Sequence, residues 1–540
     1  MLSAAQIAKL SAEQIAVLTS TEVQDFTATQ ADALSSTQLG RLATTAFDLF
    51  SSDQIGALTS SQVYGLTATQ LNAVSVDVLQ AIDTTKLTWS HIRGLTTTAI
   101  SELTEFQVGS LNSYQIGLLS TAQIEALTST EIQAFTATQV LALTPTQLSG
   151  LSATALGLFS SDQIDALSTT QVRSLTATQL NALSIDALDA LDVTKATTTQ
   201  IAGLSTTAIS ELTEFQVALL SAAQVANLSA DQIGALTTTE IGNLSGDQAG
   251  ALTATQLGAL TTTALGMFSS DQINALSATQ LQGLTTDQLN ALSVDLLDAV
   301  DVSKASTTQI AGLTTTAISQ LADVQVAALT AEQVANLSTD QIGVLTSAEV
   351  QAFTPTQTDA LTSTQLGGLT TTALGLFSVD QIGALSTTQV QGLTTDQLNA
   401  LSIDMLDAVD VSKASTTQIA GLTATVFGQL TETQVGALTA DQIASISADQ
   451  IAVLTTTEFG NLTADQAGAL TSTQIAGLTT IQFSALSATT GIPSLSAAAI
   501  AGISIEDIQA LTVEQGNAFT QGQIDVMTSD QRDALITVLA

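Results

Sequence analysis

Residues 51–82 read SSDQIGAL TSSQVYGL TATQLNAV SVDVLQAI. Each eight-residue unit opens with Ser or Thr and usually carries Gln or Glu at position 4. Ile, Leu or Val follows at 5, a small residue at 7 and usually Leu at 8. The apolar positions 5 and 8 alternate at separations of three and five residues. Both separations are odd, so a strand would throw them onto opposite faces. One continuous helix fits no better, because the period drifts against about 3.6 residues per turn and Ser or Thr would interrupt every second turn. A chain of short helices satisfies every position. With position 1 as N-cap, position 4 is N3, and Ser/Thr-x-x-Gln/Glu is the capping box. Position 8 of the preceding octad then meets position 5 as the hydrophobic staple. Asp at position 3, as at Asp53, Asp162 and Asp271, sits in the first turn, where the helix dipole favours an anion. Pro145 and Pro355 fall at position 2, the N1 site that proline prefers.

Outward from that stretch the octad governs the chain. Ten octads fill 3–82, and thirteen follow the spacer Asp83–Leu87. Thirteen more follow each of the spacers Asp192–Ala196 and Asp301–Ala305, and nine follow Asp410–Ala414 up to residue 486. The irregular nine-mer SATTGIPSL at 487–495, five octads and the tail ITVLA complete the chain. Thirteen octads plus five residues give a longer period of 109, visible in the motif that begins at Phe50, Phe159, Phe268 and Phe377. The expected organisation is 1–82, super-repeats 83–191, 192–300 and 301–409, a partial super-repeat 410–486, and an irregular region 487–540. One octad buries too little to offset the entropy of ordering it, so neighbours must stack. The expected fold is an all-α solenoid of very short capped helices, one per octad. A β-solenoid is the alternative, because Thr, Val and Ile also suit strands.

Composition excludes much chemistry. The 540 residues hold nine Lys plus Arg against 48 Asp plus Glu, a net charge of −39. That field repels phosphate backbones and anionic headgroups, so neither nucleic acid nor a polybasic membrane anchor is expected. With no cysteine and a single histidine, disulfides, thiolate nucleophiles and multi-His metal sites within one chain are excluded. Yet 45% of the residues are hydrophobic, too many for a disordered acidic tail. No run of about 18 apolar residues occurs, so no transmembrane helix is expected and the chain should be soluble.

Enzyme templates fail for lack of parts. A Ser-His-Asp triad would have to use His91, and no G-x-S-x-G elbow, Walker loop or G-x-G-x-x-G accompanies it. His91 occupies position 4 of TWSHIRGL, where other octads carry Gln, and reads as a capping substitute. Trp89, His91 and Arg93 make that octad the least repetitive in the array and a candidate ligand patch. Carboxylates recur at the long period as Asp186, Asp189 and Asp192, then Asp295, Asp298 and Asp301, then Asp404, Asp407 and Asp410. The first copy has Asp77, Gln80 and Asp83, and Lys86, Lys195, Lys304 and Lys413 each follow three residues after the last Asp. Helix capping and pairing with the lysine explain these residues; calcium is the alternative, and no other cofactor is expected.

Stretches such as TTTQIAGL and TATQLGAL resemble the degenerate octapeptide-repeat regions of very large bacterial surface or secreted proteins, loosely labelled adhesins or haem-utilisation proteins. The resemblance covers residues 3–535. It implies an extracellular, self-associating structural protein of the cell surface, with an adhesin stalk as the alternative. One His, four Met and no Cys give a haem role no support. Met1 and Leu2 lead straight into the first octad, so export is expected through a type I signal at ITVLA or through a leader removed beforehand.

Overall fold

The computed structural model describes residues 2–540, which divide into two compact units, one running to Leu276 and the other Ser277–Ala540. The division falls between two octads, within the super-repeat read as 192–300. Both units are α-solenoids. Among the described residues there is no strand, and α-helices of four to six residues succeed one another, apart from an eleven-residue helix at Ser529–Leu539. The β-solenoid alternative falls.

The octad 51–58 shows how the sequence builds one step. Ser51 is extended, with φ −67° and ψ 155°, and the helix runs Ser52–Gly56. The Ser51 N–H donates to Gln54 Oε1 at 2.7 Å, and the Gln54 N–H donates to Ser51 Oγ at 3.3 Å. Both halves of the capping box are therefore closed, two otherwise orphaned N–H groups finding partners. Ile55 and Leu58, positions 5 and 8, are buried. Pro145 and Pro355 open the helices Pro145–Gly150 and Pro355–Ala360 at N1, as their position predicts.

Stacking follows from the same residues. Within each unit the main packing partner of a helix is the third helix along, as Ala222–Ala226 packs on Gly246–Ala251 and Ala331–Ala335 on Pro355–Ala360. The position-4 glutamine has a second use that the capping box does not require. Gln123 Nε2 donates to the carbonyls of Leu95 and Ile92, both at 2.8 Å, 28 and 31 residues earlier. Gln179 does the same to Leu151 and Leu148, and Gln397 to Leu369 and Leu366. One turn of the coil thus takes between three and four octads. Each buried amide is a rivet. Its oxygen caps its own helix and its nitrogen holds the turn beneath.

The spacers keep this register. Across Asp192–Ala196 the rivet offsets shrink by three, Gln200 reaching Leu175 at 25 residues and Val172 at 28. The spacer's own carbonyls serve the next turn at the ordinary offsets, Gln224 bonding Ala196 and Val193. A spacer is one octad's station built from three fewer residues. The nine-mer errs the other way, and Gln515 bonds Leu486 at an offset of 29.

Corners are turned without left-handed residues: among the described residues none has positive φ, glycine included. Glycine instead permits close approach. A Cβ on Gly65 would overlap the Ser36 backbone, and one on Gly40 would overlap the Gly65 carbonyl. Core exceptions also have reasons or costs. At Gly516, in a position that elsewhere carries an aliphatic, a Cβ would come within 3.0–3.4 Å of Leu535, Val538 and Leu539 of the long helix. At Thr358 the same position carries a hydroxyl that is buried without a hydrogen-bond partner.

Candidate functional site

One set of features that recurs every 109 residues lies at the spacers. In the second copy Asp192 caps the 3-10 turn Val193–Lys195. Its Oδ1 accepts from the Thr194 N–H at 3.0 Å and from the Thr194 hydroxyl at 2.6 Å. Its Oδ2 lies 3.7 Å from Lys195 Nζ. Lys195 Nζ donates to the Leu167 carbonyl at 2.9 Å, 28 residues back, which is the carbonyl a glutamine would take. Lys86 makes the same pair of contacts with Asp83 and Leu58, and Lys413 with Asp410 and Leu385. Lys304 pairs with Asp301 at 3.4 Å. The hydroxyl of Thr85, Thr194, Ser303 or Ser412 is the main influence holding the aspartate carboxyls below their usual range, and the neighbouring ammonium adds to it.

These contacts settle where the candidate calcium ligands stand. Asp192, Asp301 and Asp410 are caps and ion-pair partners. Asp186, Asp189, Asp295, Asp298, Asp404 and Asp407 are exposed on the preceding helices. Among the described residues no three His, Asp or Glu side chains stand close enough to hold a metal ion, so the aspartate triplets do not converge on a cation.

The octad 88–95 divides in the same way. His91 is buried at 3% exposure, while Trp89 is 58% exposed and Arg93 is exposed. His91 Nδ1 accepts from the Thr88 N–H at 3.2 Å, which leaves Nε2 protonated to donate to the Leu66 carbonyl at 2.8 Å. The ring therefore reproduces both halves of the glutamine rivet, and burial pushes its pKa down. His91 is structural, and only Trp89 and Arg93 remain on the surface as a patch.

Two further recurrences escape a reading by capping alone. Octads with Ala or Val at position 4 lack the rivet, and their N-cap N–H must find another acceptor. Asn72 Oδ1 accepts from the Thr96 N–H at 2.8 Å while its Nδ2 donates to the Gly94 carbonyl at 2.7 Å. Asn181, Asn290 and Asn399 repeat this at the long period for Ser205, Thr314 and Thr423. The second recurrence is apolar. Phe106 and Phe215, 109 residues apart at position 3, are 82% and 72% exposed, and Val324 continues the series at 76%. Phe215 and Leu219 line a groove of about 440 Å³ with Asp165, Asp189 and Asp192, and Phe106 lines a smaller one beside Asp83. A listing of exposed position-3 residues at the 109 step would have found them from sequence.

Comparison with known proteins adds the repeat class. A family model described as the ALTTAQ repeat matches residues 324–355, four octads in length. No curated protein matches the chain. Among solved structures it is similar over 98% of its length to a chain, 86% covered, of a homology model of the full-length AP-3 complex in an intermediate open conformation, at 10% identity and a TM-score of 0.15. It is similar over 99% to 95% of a chain in the structure of APUM23-GGAUUUGACGG, at 11% identity and a TM-score of 0.13. Likenesses at those scores carry no argument about fold or function. The chain is a repeat region with an α-solenoid fold, and no described helix is long and apolar enough to cross a membrane.

Proposed function

We propose that this chain is a non-enzymatic structural repeat protein of the bacterial cell surface, self-associating into a filament, sheath or surface layer. The observation that carries the reading is the exposed apolar series Phe106, Phe215 and Val324, one large side chain per super-repeat at the same place in the octad pattern. A surface that repeats its apolar points at a fixed chain interval presents the same contact many times to a second copy, which suits lateral association. The rivets suit it too, because a coil held by one contact type lengthens without new chemistry. Negative-stain microscopy and light scattering of the purified chain test the proposal. Ordered assemblies are expected, and Phe106→Ser, Phe215→Ser and Val324→Ser together should disperse them without changing the circular dichroism. Monomeric wild-type protein at all concentrations would defeat the reading.

The second reading, an adhesin stalk, is favoured by Trp89, the one tryptophan of the chain, standing exposed beside Arg93. Dispersed protein that binds a surface, and loses binding on Trp89→Ser, would select it.

A further inference from the structure

The octad 88–95 and the second spacer carry complementary surfaces on different parts of the chain. Trp89 and Arg93 stand four residues apart on the helix Trp89–Gly94, so they share one face of it. Both are exposed. Cations are scarce in this chain, with nine Lys and Arg in all. Among the described residues the ion pairs belong to Lys86, Lys195, Lys304 and Lys413, and Arg93 takes part in none. A free guanidinium one turn from an exposed indole joins two of the side chains that most often anchor a protein contact.

The groove at the second spacer matches both. Its lining combines the exposed side chains of Phe215 and Leu219 with Asp165, Asp189 and Asp192. Lys195 pairs with Asp192 at 3.7 Å, whereas Asp165 and Asp189 are exposed and belong to no ion pair. The groove is therefore apolar with two uncompensated negative charges, and at about 440 Å³ it is of a size to take a bulky aromatic side chain. The other spacers do not combine these features. At the first, Gly56, Gln80 and Ser110 stand in place of Asp165, Asp189 and Leu219. At the third, Asn274 replaces Asp165 and Ala328 replaces Leu219, and at the fourth Thr433 replaces Phe215.

We propose that the Trp89–Arg93 face of one chain docks in the Phe215 groove of a second copy, the indole covering Phe215 and Leu219 and the guanidinium pairing with Asp165 and Asp189. This contact rests on the self-association proposed above and is its principal attachment. Charge selects the occupant. At a net charge of −39 most faces of the chain repel a second copy, and contact is favoured where a free cation meets free carboxylates. The face and the groove are different surfaces, so the contact is head-to-tail. A chain that offers its tryptophan still has a groove for the next copy, which propagates an open assembly unless the rotation closes a ring.

The test is sedimentation velocity of the full chain with light scattering. Wild type is compared with a face variant, Trp89→Ser with Arg93→Glu, and a groove variant, Asp165→Lys with Asp189→Lys. All four positions are exposed, so both variants keep the fold, and circular dichroism verifies it. Each variant alone is expected to associate at least about thirtyfold more weakly than wild type, the effect of removing interface hot spots. Each Asp→Lys change adds two charges, so the groove variant moves from −39 to −35, and general repulsion predicts stronger association instead. Mixed in equal amounts, the two variants should pair one to one and grow no further, since one intact face and one intact groove remain between them. Association that survives in both variants but is lost in the Phe106, Phe215 and Val324 triple variant would overturn this contact and leave the self-association standing. A mixture of folded variants that forms no pair would overturn it as well. A monomeric wild type would defeat both readings.

Discussion

The octad 120–127 and the spacer 192–196 do the same work with different materials. The octad, STAQIEAL, caps with Ser120, rivets with Gln123 and closes on buried Leu127. The spacer, DVTKA, caps with Asp192, reaches the lower turn with Lys195 and closes on buried Ala196. It replaces a helical turn with a 3-10 turn and omits three residues, yet the next turn still finds its carbonyls. The comparison teaches that the unit of the coil is a station, comprising a cap, a long donor and an apolar terminus, and not a count of eight. Eight is one way to make a station.

The strongest way to break that equivalence is to remove a station outright. Deleting Asp192–Ala196 takes away the acceptors of Gln224 and misaligns every rivet that crosses the gap. The loss should exceed about 5 kcal/mol at roughly 1 kcal/mol per buried hydrogen bond, read as lost helical circular dichroism and new protease cleavage around the deletion. Replacing the spacer by STAQIEAL should leave the melting curve nearly unchanged. If the replacement is as damaging as the deletion, residue count matters and stations do not.

A single rivet comes next. Gln123→Leu orphans the Ser120 N–H and two carbonyls while keeping volume, and should cost about 2–4 kcal/mol by denaturant unfolding. A loss no larger than that of a surface substitution would make the amide a mere cap. Thr358→Val should act in the opposite direction, gaining about 1 kcal/mol, because it removes a buried hydroxyl that has no partner.

The smallest effect appears only with pH. His91 is held neutral in the fold by burial, so its pKa is lower folded than unfolded. Between those two values the unfolded chain binds more protons, and stability falls as pH drops below about 6.5. His91→Gln supplies the array's usual rivet and should be neutral at pH 7 while flattening that slope. Parallel slopes for both proteins would show that His91 does not titrate on unfolding.

How much of this was legible can be judged residue by residue. The caps, the buried positions 5 and 8, the helix starts at Pro145 and Pro355 and the short-helix solenoid all followed from the octad, because each is written in the eight-residue pattern itself. The rivet did not, because it joins residues 28 and 31 apart and a capping box uses only the oxygen. One signal pointed to it: a cap accepts Glu as readily as Gln, yet glutamine dominates position 4. The lysines were readable as partners of the aspartates but not as surrogate glutamines, since that needed the register of the preceding turn. The aspartate triplets suggested ligands on spacing alone, and the structure gives the spacer aspartates to the caps and leaves the others exposed.

The corners have a consequence for what this sequence can encode. Because no described residue needs positive φ, no corner reserves a place for glycine or asparagine on conformational grounds. Structural grammar claims mainly the cap, the rivet and the two apolar positions. Positions 2, 3 and 6 carry residues as unlike as Trp89, Phe106 and Asp165 without altering the step. Such a coil is a blank tape with numbered lines. Any surface chemistry can be written at a chosen station, and duplication copies the inscription together with its address.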